Sequence, residues 1–529
     1  MSDTSPKTPA PGLLRSSVVV GCMTMLSRVL GLVRDVVFAA FLGATANADA
    51  FFVAFKIPNF LRRLFAEGAF SQAFIPVLAD YKEEGSVVAV RALINRVAGV
   101  LGGTVMLVSA LGVLAAPAVA SIFAPGFIGD PHKFQLTTQM IRITFPYLFL
   151  ISMTGFCGAI LNSYGRFSVP AITPIFLNIS LILSAVVVSP WFDEPVFALA
   201  WGVFLAGIVQ LLFQLPFLYK LDLLPKPQWN TQDEGVRRIM KLMVPALFGV
   251  SVSQLNLLLD TVLASFLPTG SVSWLYYSDR LAELPLGVFG VAIATVILPN
   301  LSAHNSASRE HLFASTLDWA VRLVLLIAIP SATALIILAE PILITLFQYN
   351  AFTTSDVAMA AWSLRAYSIG VIAFMLIKVL APGFYARQDI STPVAIGIKA
   401  MVANMIMNFM FVLPLMYYWN LGHVGLALAT SAAAYLNAGL LLKGLVQRGI
   451  FSFQPGWWRY SARLLSATLA MGLVVWYCMP EEASWLGMDW RSRAAALTLL
   501  CGQGVVAYVA VHLLMGSRPG QLRAPVSEL

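Results

Sequence analysis

Residues 27–43 read SRVLGLVRDVVFAAFLG, and residues 48–70 read ADAFFVAFKIPNFLRRLFAEGAF. Both stretches are apolar enough to enter lipid. Yet the first carries Arg28, Arg34 and Asp35, and the second Asp49, Lys56, Arg62, Arg63 and Glu67. A charge near the bilayer midplane costs about 2.5–3.5 kcal/mol on insertion scales. A helix that merely anchors has no use for four such arginines. The two stretches therefore predict helices that line a polar cavity inside a membrane protein, with an anion as its natural occupant.

The rest of the chain agrees with a membrane setting. Its 529 residues are 59% hydrophobic and 11% charged, with mean hydropathy +0.81. Soluble domains carry about 25% charged residues. Runs such as 172–190, 197–218, 323–338 and 401–418 approach the roughly 20 residues that cross about 30 Å of hydrocarbon. An outer-membrane barrel is excluded because its strands alternate rather than run continuously apolar. The expected fold is an all-α polytopic membrane protein of about fourteen spans. Their centres fall near residues 29, 60, 107, 148, 181, 207, 252, 290, 329, 372, 405, 433, 469 and 504. The polar, proline-rich first dozen residues predict a short cytoplasmic tail and no removable signal peptide.

The net charge of +8 does not point to nucleic acid, because the basic residues sit in alternate loops and form no single patch. Loops after even-numbered spans hold Lys82, Arg91, Arg166, Arg237, Arg238, Arg309, Arg387, Lys443 and Arg448. Opposite loops are short or acidic, with Arg491 and Arg493 as exceptions. That asymmetry predicts both termini on the cytoplasmic side. Four scattered cysteines (Cys22, Cys157, Cys478, Cys501) show no metal spacing and are expected as small core residues. The five histidines form no cluster, so no metal site is expected.

Weak internal matches recur in the same order. GAFSQAF at 68–74 resembles GVFGVAI at 287–293, an offset of 219, and RFSVPAI at 166–172 resembles DISTPVA at 389–395, an offset of 223. The segment ending at Lys56 parallels the one ending at Arg280. These matches predict two six-helix pseudo-repeat lobes, residues 1–231 and 232–450, with an extra helix pair in 451–529. Parallel repeats around a midplane site are a transporter design.

Helical spacing sets the expected partners. Arg28 and Asp35 are seven residues apart and share a face, so Asp35 is expected to neutralise Arg28 while Arg34 points elsewhere. Asp49, Lys56 and Arg63 form a seven-residue stripe, and Pro58 and Pro285 are expected to break their helices. In the second half, Asp279 and Glu283 flank Arg280, and the repeat sets this cluster against the first. The plainer reading is that such charges pair to fasten helices or snorkel to the interface; it fits Arg63, Glu67 and Asp80 best. Asp260, Asp318, Arg322, Arg365, Lys378 and Lys399 suit pairing or ion coupling equally, and Asn178, Asn404 and Asn408 suit helix bridging. Arginine is suited to the cavity role because its planar fork stays charged and grips phosphate oxygens in pairs. No phosphate-binding glycine loop, nucleotide-binding domain or HExxH motif is present, so an enzyme is not expected. Energy would come from membrane potential, an ion gradient or substrate flux.

The stretches SRVLGLVRD (27–35), DAFFVAFKIPNFLRRLFAEGAFSQAFIPVLADY (49–81), TGSVSWLYYSDRLAELPLGVFGVAI (269–293) and KVLAPGFYARQDISTP (378–393) resemble the MurJ/MviN family. These are bacterial lipid II flippases of the multidrug/oligosaccharidyl-lipid/polysaccharide exporter superfamily. The resemblance covers essentially the whole chain. It implies a V of two lobes around a cationic cavity, and a groove at spans thirteen and fourteen for the undecaprenyl tail. The family's required cavity residues fall on Arg28, Arg34, Asp49, Arg62 and Arg280, with Ser27, Asp35, Lys56, Asp279 and Glu283 as polar support. Implied partners are lipid II, membrane lipids and cell-wall synthesis or division proteins, at the bacterial inner membrane. No cofactor or metal is implied, and the coupling ion is left open. The rivals are a flippase for another undecaprenyl-diphosphate-linked oligosaccharide, a multidrug exporter of the same superfamily, and a non-transporting membrane scaffold.

Overall fold

The computed structural model describes residues 11–63, 70–306 and 309–517. Glu67 and the first two residues of the GAFSQAF stretch lie outside the described residues. Contacts divide the chain into two units, residues 1–269 and 270–529.

The first unit contains α1 (Pro11–Leu42), α2 (Ala46–Arg62), α3 (Ser71–Glu83), α4 (Val87–Leu114), α5 (Ala116–Phe123), α6 (Pro131–Thr144), α7 (Tyr147–Ser163), α8 (Ser168–Leu183), α9 (Val196–Tyr219) and α10 (Glu234–Ser265). Its cytoplasm-predicted end is filled by Phe70, Phe74 and Phe156, whose rings meet at 5.2–5.9 Å. The repeat puts a boundary at 231, before α10, but α10 packs on α3, α4 and α5 here. Arg238 of α10 reaches Asp80 of α3 at 2.8 Å, so Asp80 is an exposed helix fastener.

The second unit contains α11 (Ser271–Pro285), α12 (Val291–Ser306), α13 (Glu310–Ile337), α14 (Ala339–Phe347), α15 (Thr354–Tyr385), α16 (Ser391–Trp419), α17 (Gly422–Gln447), α18 (Trp457–Cys478), α19 (Glu482–Gly487) and α20 (Trp490–Leu514). Helices α16 and α17 approach so closely that a Cβ on Gly425 would lie 2.7 Å from the Val412 Cα.

Helix starts repeat between the units. The first residues of α4 and α13, of α5 and α14, of α6 and α15, and of α8 and α16 are each 223 apart. The sequence matches thus mark a true structural repeat. Among the described residues, ten segments are long and apolar enough to cross a membrane, α6 and α7 forming one of them. The other expected spans correspond to α1, α2, α10 and α11–α12, among which α2, α11 and α12 are only 17, 15 and 16 residues long.

Two prolines show how the bundle is tied. Pro58 does not break α2, which runs on to Arg62. A proline leaves the carbonyl four residues earlier without its helical donor. Here the Ala54 carbonyl accepts instead from the buried Thr144 hydroxyl at 3.3 Å. In the same way the carbonyl of Leu326, four before Pro330, accepts from Tyr508 at 2.7 Å, tying α13 to α20. The expected extra backbone groups at Pro58 are therefore consumed inside the fold. Pro285 ends α11, and a π-helical turn over Leu286–Gly290 follows.

The exceptional Arg493 is also accounted for. It is 8% exposed, and its guanidinium donates to the carbonyls of Trp485, Leu486, Ile344 and Gln348 at 3.0–3.3 Å. Those carbonyls lie at the C-terminal ends of α14 and α19, where helices leave acceptors unfilled. Of the cysteines only Cys157 is buried; Cys22, Cys478 and Cys501 lie exposed on their helices, since a membrane span can turn apolar residues outward.

Candidate functional site

In α1 the structure assigns the carboxylate differently from helical spacing alone. Arg34 is 7% exposed, and its Nε and Nη2 donate to Oδ1 of Asp35 at 3.0 and 2.7 Å. Nη1 donates to Oδ1 of Asn178 on α8 at 3.0 Å, and the Asn178 amide donates to the Ser27 carbonyl at 3.0 Å. Asp35 therefore holds Arg34, not Arg28. The reason is tertiary: α8 packs on α1 and offers Asn178, which draws the Arg34 fork across its neighbour. Ser27, Arg34, Asp35 and Asn178 thus form one knot. Arg28 is exposed, and among the described residues it makes no hydrogen bond or ion pair.

Asp49 occupies a second, separate cluster. It is fully buried in the first turn of α2, and its Oδ2 lies 2.8 Å from Nζ of Lys133, itself 4% exposed. The ammonium also reaches the Thr269 hydroxyl at 3.5 Å and lies 4.2 Å from the Phe127 ring centroid. Lys133 belongs to the first turn of α6, opened by the Asp130 carboxylate on the Lys133 N–H. Sequence reading overlooked this lysine, because HKFQLTTQ looks like a connecting segment. The one available signal was that a carboxylate placed as deep as Asp49 requires a cation.

Lys56 is half-buried and donates to the Thr261 hydroxyl of α10 at 3.1 Å. Arg62 is half-buried at the end of α2, and the following Arg63 is exposed in π-helical backbone. In the second unit Arg280 lies 3.5 Å from Glu283 and over the Tyr276 ring at 5.1 Å, and Asp279 is half-buried beside it. Glu283 therefore orients Arg280, as the spacing predicts. Asp318 and Arg322 pair at 2.8 Å within α13, and Arg365 of α15 pairs with Glu340 at 2.9 Å and so fastens α15 to α14. Among the described residues, no three of His, Cys, Asp and Glu come together to hold a metal ion.

Chemically, this is a group of cations set into otherwise apolar helices. Some are already neutralised (Arg34, Lys133), while Arg28 is available to an anion. Outside the spans, Asp389 accepts from the Thr392 hydroxyl and N–H and from Arg448, and these bonds hold its carboxyl well below the usual range.

The family model described as lipid II flippase MurJ matches residues 38–489. A probable lipid II flippase MurJ of Vibrio cholerae is 51% identical, covering 97% of this chain and 98% of the relative. The lipid II flippase MurJ of Burkholderia cenocepacia is 44% identical over 95% of this chain and 96% of its own. A solved lipid II flippase MurJ in an inward closed conformation aligns with TM-score 0.79 at 24% identity, covering 94% and 98% of the two chains. An inward-facing multidrug transporter of the MATE family aligns with TM-score 0.67 at 15% identity, a likeness of fold alone.

Proposed function

Because the chain belongs to the lipid II flippase MurJ family, we propose that it moves the diphosphate–sugar–peptide head of lipid II from the cytoplasmic to the periplasmic leaflet by alternating access. It is a multi-pass membrane transporter that serves peptidoglycan synthesis. Its setting on this reading is the bacterial inner membrane with both termini cytoplasmic, driven by membrane potential or an ion gradient. The lobes are residues 1–231 and 232–450 with an appended pair in 451–529, a division supported by the recurrence of helix starts.

Arg28, Arg34, Arg62 and Arg280 are the proposed substrate cations. The observation that carries this role is Arg28, an exposed guanidinium on an apolar helix with no hydrogen-bond or ion-pair partner among the described residues. Such a group is costly in lipid unless an anion or water meets it. Arg34 engages phosphate by exchanging Asn178 for a phosphate oxygen, while Asp35 keeps its fork aligned. Full burial supports a positioning role for Asp49: with Lys133 it sets α2 against α6. Ser27, Lys56, Asp279 and Glu283 orient the cations around them.

The test is depletion of the native protein in cells that depend on the variant, with lipid II scored by its accessibility at the outer leaflet. Arg28→Ala is expected to leave protein in the membrane but trap lipid II inside and stop growth. Normal growth on Arg28→Ala would remove the residue from the site. Arg28→Lys separates charge from the bidentate fork: full rescue by lysine shows that charge alone suffices. Outward lipid II unaffected by depletion would favour a different undecaprenyl-linked substrate.

A further inference from the structure

The chain between α9 and α10 is a fitted strap, not a slack connector. After a left-handed turn at Asp222 (φ 58°), residues 223–233 form no helix and run along α4. Arg91, Asn95, Gly99 and Gly103 stand on successive turns of α4 and meet the strap in order. Nε of Arg91 donates to the Asp222 carbonyl at 3.0 Å. Asn95 accepts the Lys226 N–H on its side chain at 2.7 Å and the Gln228 N–H on its carbonyl at 2.9 Å. The two glycines are seats: a Cβ on Gly99 would lie 2.2 Å from the Gln228 carbonyl oxygen, and one on Gly103 2.4 Å from the Trp229 ring. The strap then turns back, and Asp233, the N-cap of α10, pairs with Arg96. Its tip is therefore 227–230, with Trp229 the farthest point reached along α4.

Helix α4 changes character at that tip. Between Arg91 and Val105 it exposes no large apolar side chain, whereas Met106, Leu107, Leu111 and Leu114 beyond are each more than half exposed. From Gly103 to Phe123, α4 and α5 together rise about 30 Å at 1.5 Å per residue, the thickness of a hydrocarbon layer. The tip itself cannot lie in that layer. Among the described residues the N–H groups of Trp229 and Asn230 have no protein acceptor, and lipid tails offer none. Yet Trp229 is 65% exposed, and among the described residues the Lys226 ammonium makes no hydrogen bond or ion pair. An exposed indole with one polar edge settles where headgroups meet hydrocarbon, and a lysine beside it meets phosphates.

We propose that residues 226–230 form an interfacial anchor, with Trp229 at the boundary between headgroups and hydrocarbon and Lys226 among the phosphates of anionic phospholipids. The strap thereby sets how deep α4 sits, and it pins to that surface the start of α10, which follows it directly. On this placement the span formed by α4 and α5 centres at residue 113, midway between Gly103 and Phe123, and not near 107. None of these residues belongs to the proposed substrate site, so the inference does not depend on the flippase reading.

The experiment uses the full-length protein in phospholipid vesicles, with its four native cysteines replaced by alanine. A nitroxide is placed at Asn230→Cys or Gln232→Cys, and Trp229 stays in position. Its collisions with oxygen, which concentrates in hydrocarbon, are compared with those of a water-soluble nickel chelate. Labels at Glu84→Cys, in an exposed turn, and at Leu111→Cys set the water and hydrocarbon limits and show that the protein is inserted. In phosphatidylcholine the oxygen-to-nickel ratio at 230 is expected to fall between the limits, about tenfold above that at 232. Trp229→Ala should lower it to the level at 232. Adding phosphatidylglycerol should raise the ratio at 230, and Lys226→Gln should abolish that rise. A ratio at 230 equal to that of Glu84→Cys places the strap in water and overturns the anchor. A ratio equal to that of Leu111→Cys places the loop inside hydrocarbon and overturns the boundary. No response to phosphatidylglycerol overturns the role of Lys226.

Discussion

The α2–α6 contact of the first unit and the α11–α15 contact of the second occupy the same places in the repeat but use opposite chemistry. Asp49 is the fourth residue of α2, and Lys133 is the third of α6. Trp274 is the fourth residue of α11, and Asp356 is the third of α15. The first pair is an ion pair at 2.8 Å with both side chains at most 5% exposed. In the second pair the Trp274 indole N–H donates to Asp356 at 2.9 Å, and that carboxylate is only half-buried and also closes a capping box with Thr353. One backbone scaffold thus supports two solutions that differ in what happens when a partner is lost. A fully buried ion has nowhere to turn, whereas a half-buried carboxylate with a capping partner keeps access to water.

The largest expected effect follows from breaking the buried pair. Lys133→Ala should destabilise the protein by about 3–5 kcal/mol, because it leaves a desolvated carboxylate without its cation. Thermal unfolding in detergent would show this. Asp49→Leu/Lys133→Met should recover most of the loss, since removing both charges also removes the unpaired one. A double variant as unstable as Lys133→Ala would mean that shape, not charge, governs the contact. Next in size is Trp274→Phe, which removes the N–H and shrinks the buried ring; about 2 kcal/mol should be lost. If this change cost as much as Lys133→Ala, burial would not be what separates the two contacts.

The smallest effect tests the repeat at another pair of equivalent places. Arg166 precedes α8 and is exposed; Asp389, 223 residues later, precedes α16 and accepts the Thr392 N–H at 3.0 Å. Asp389→Asn should cost about 1 kcal/mol, and Arg166→Ala less than about 0.5 kcal/mol. The carboxyl of Asp389 lies below its unfolded value, so its contribution is present above about pH 4 and is lost as pH falls further. Melting of Asp389→Asn should therefore differ from wild type at neutral pH and converge with it in acid. Persistent separation in acid would assign the effect to shape rather than ionisation.

Most of the architecture was legible because apolar length, loop charge and repeat offset are properties of local sequence. Even the structural offset of 223 appeared in the weak match of residues 166–172 to 389–395. What escaped was the choice of partner. Spacing of seven matched Asp35 with Arg28, but the carboxylate holds Arg34, because spacing carried no information on Asn178, 144 residues beyond Arg34, which draws that arginine's fork. Lys133 was hidden for a related reason: a polar stretch reads as a loop until the fold buries it against Asp49. Pro58 signalled a broken helix because the hydroxyl that fills the vacated acceptor belongs to Thr144, 90 residues away. Arg28, Arg62 and Arg280 could be singled out as candidates because an ion in an apolar run is conspicuous without any partner being known.

The Arg493 clamp has a consequence for biogenesis. Its acceptors come from the C-terminal ends of α14 and α19, so the guanidinium is satisfied only when both are in place. During synthesis α14 emerges about 150 residues before Arg493, so its terminal carbonyls wait for their donor until the last helix arrives. The terminal hairpin of α18 and α20 must then lock last, onto a second unit that has already assembled. Residence of that hairpin in the membrane becomes a checkpoint for maturation: a chain whose α14 is misplaced presents an unclamped cation, a mark by which quality control can recognise it.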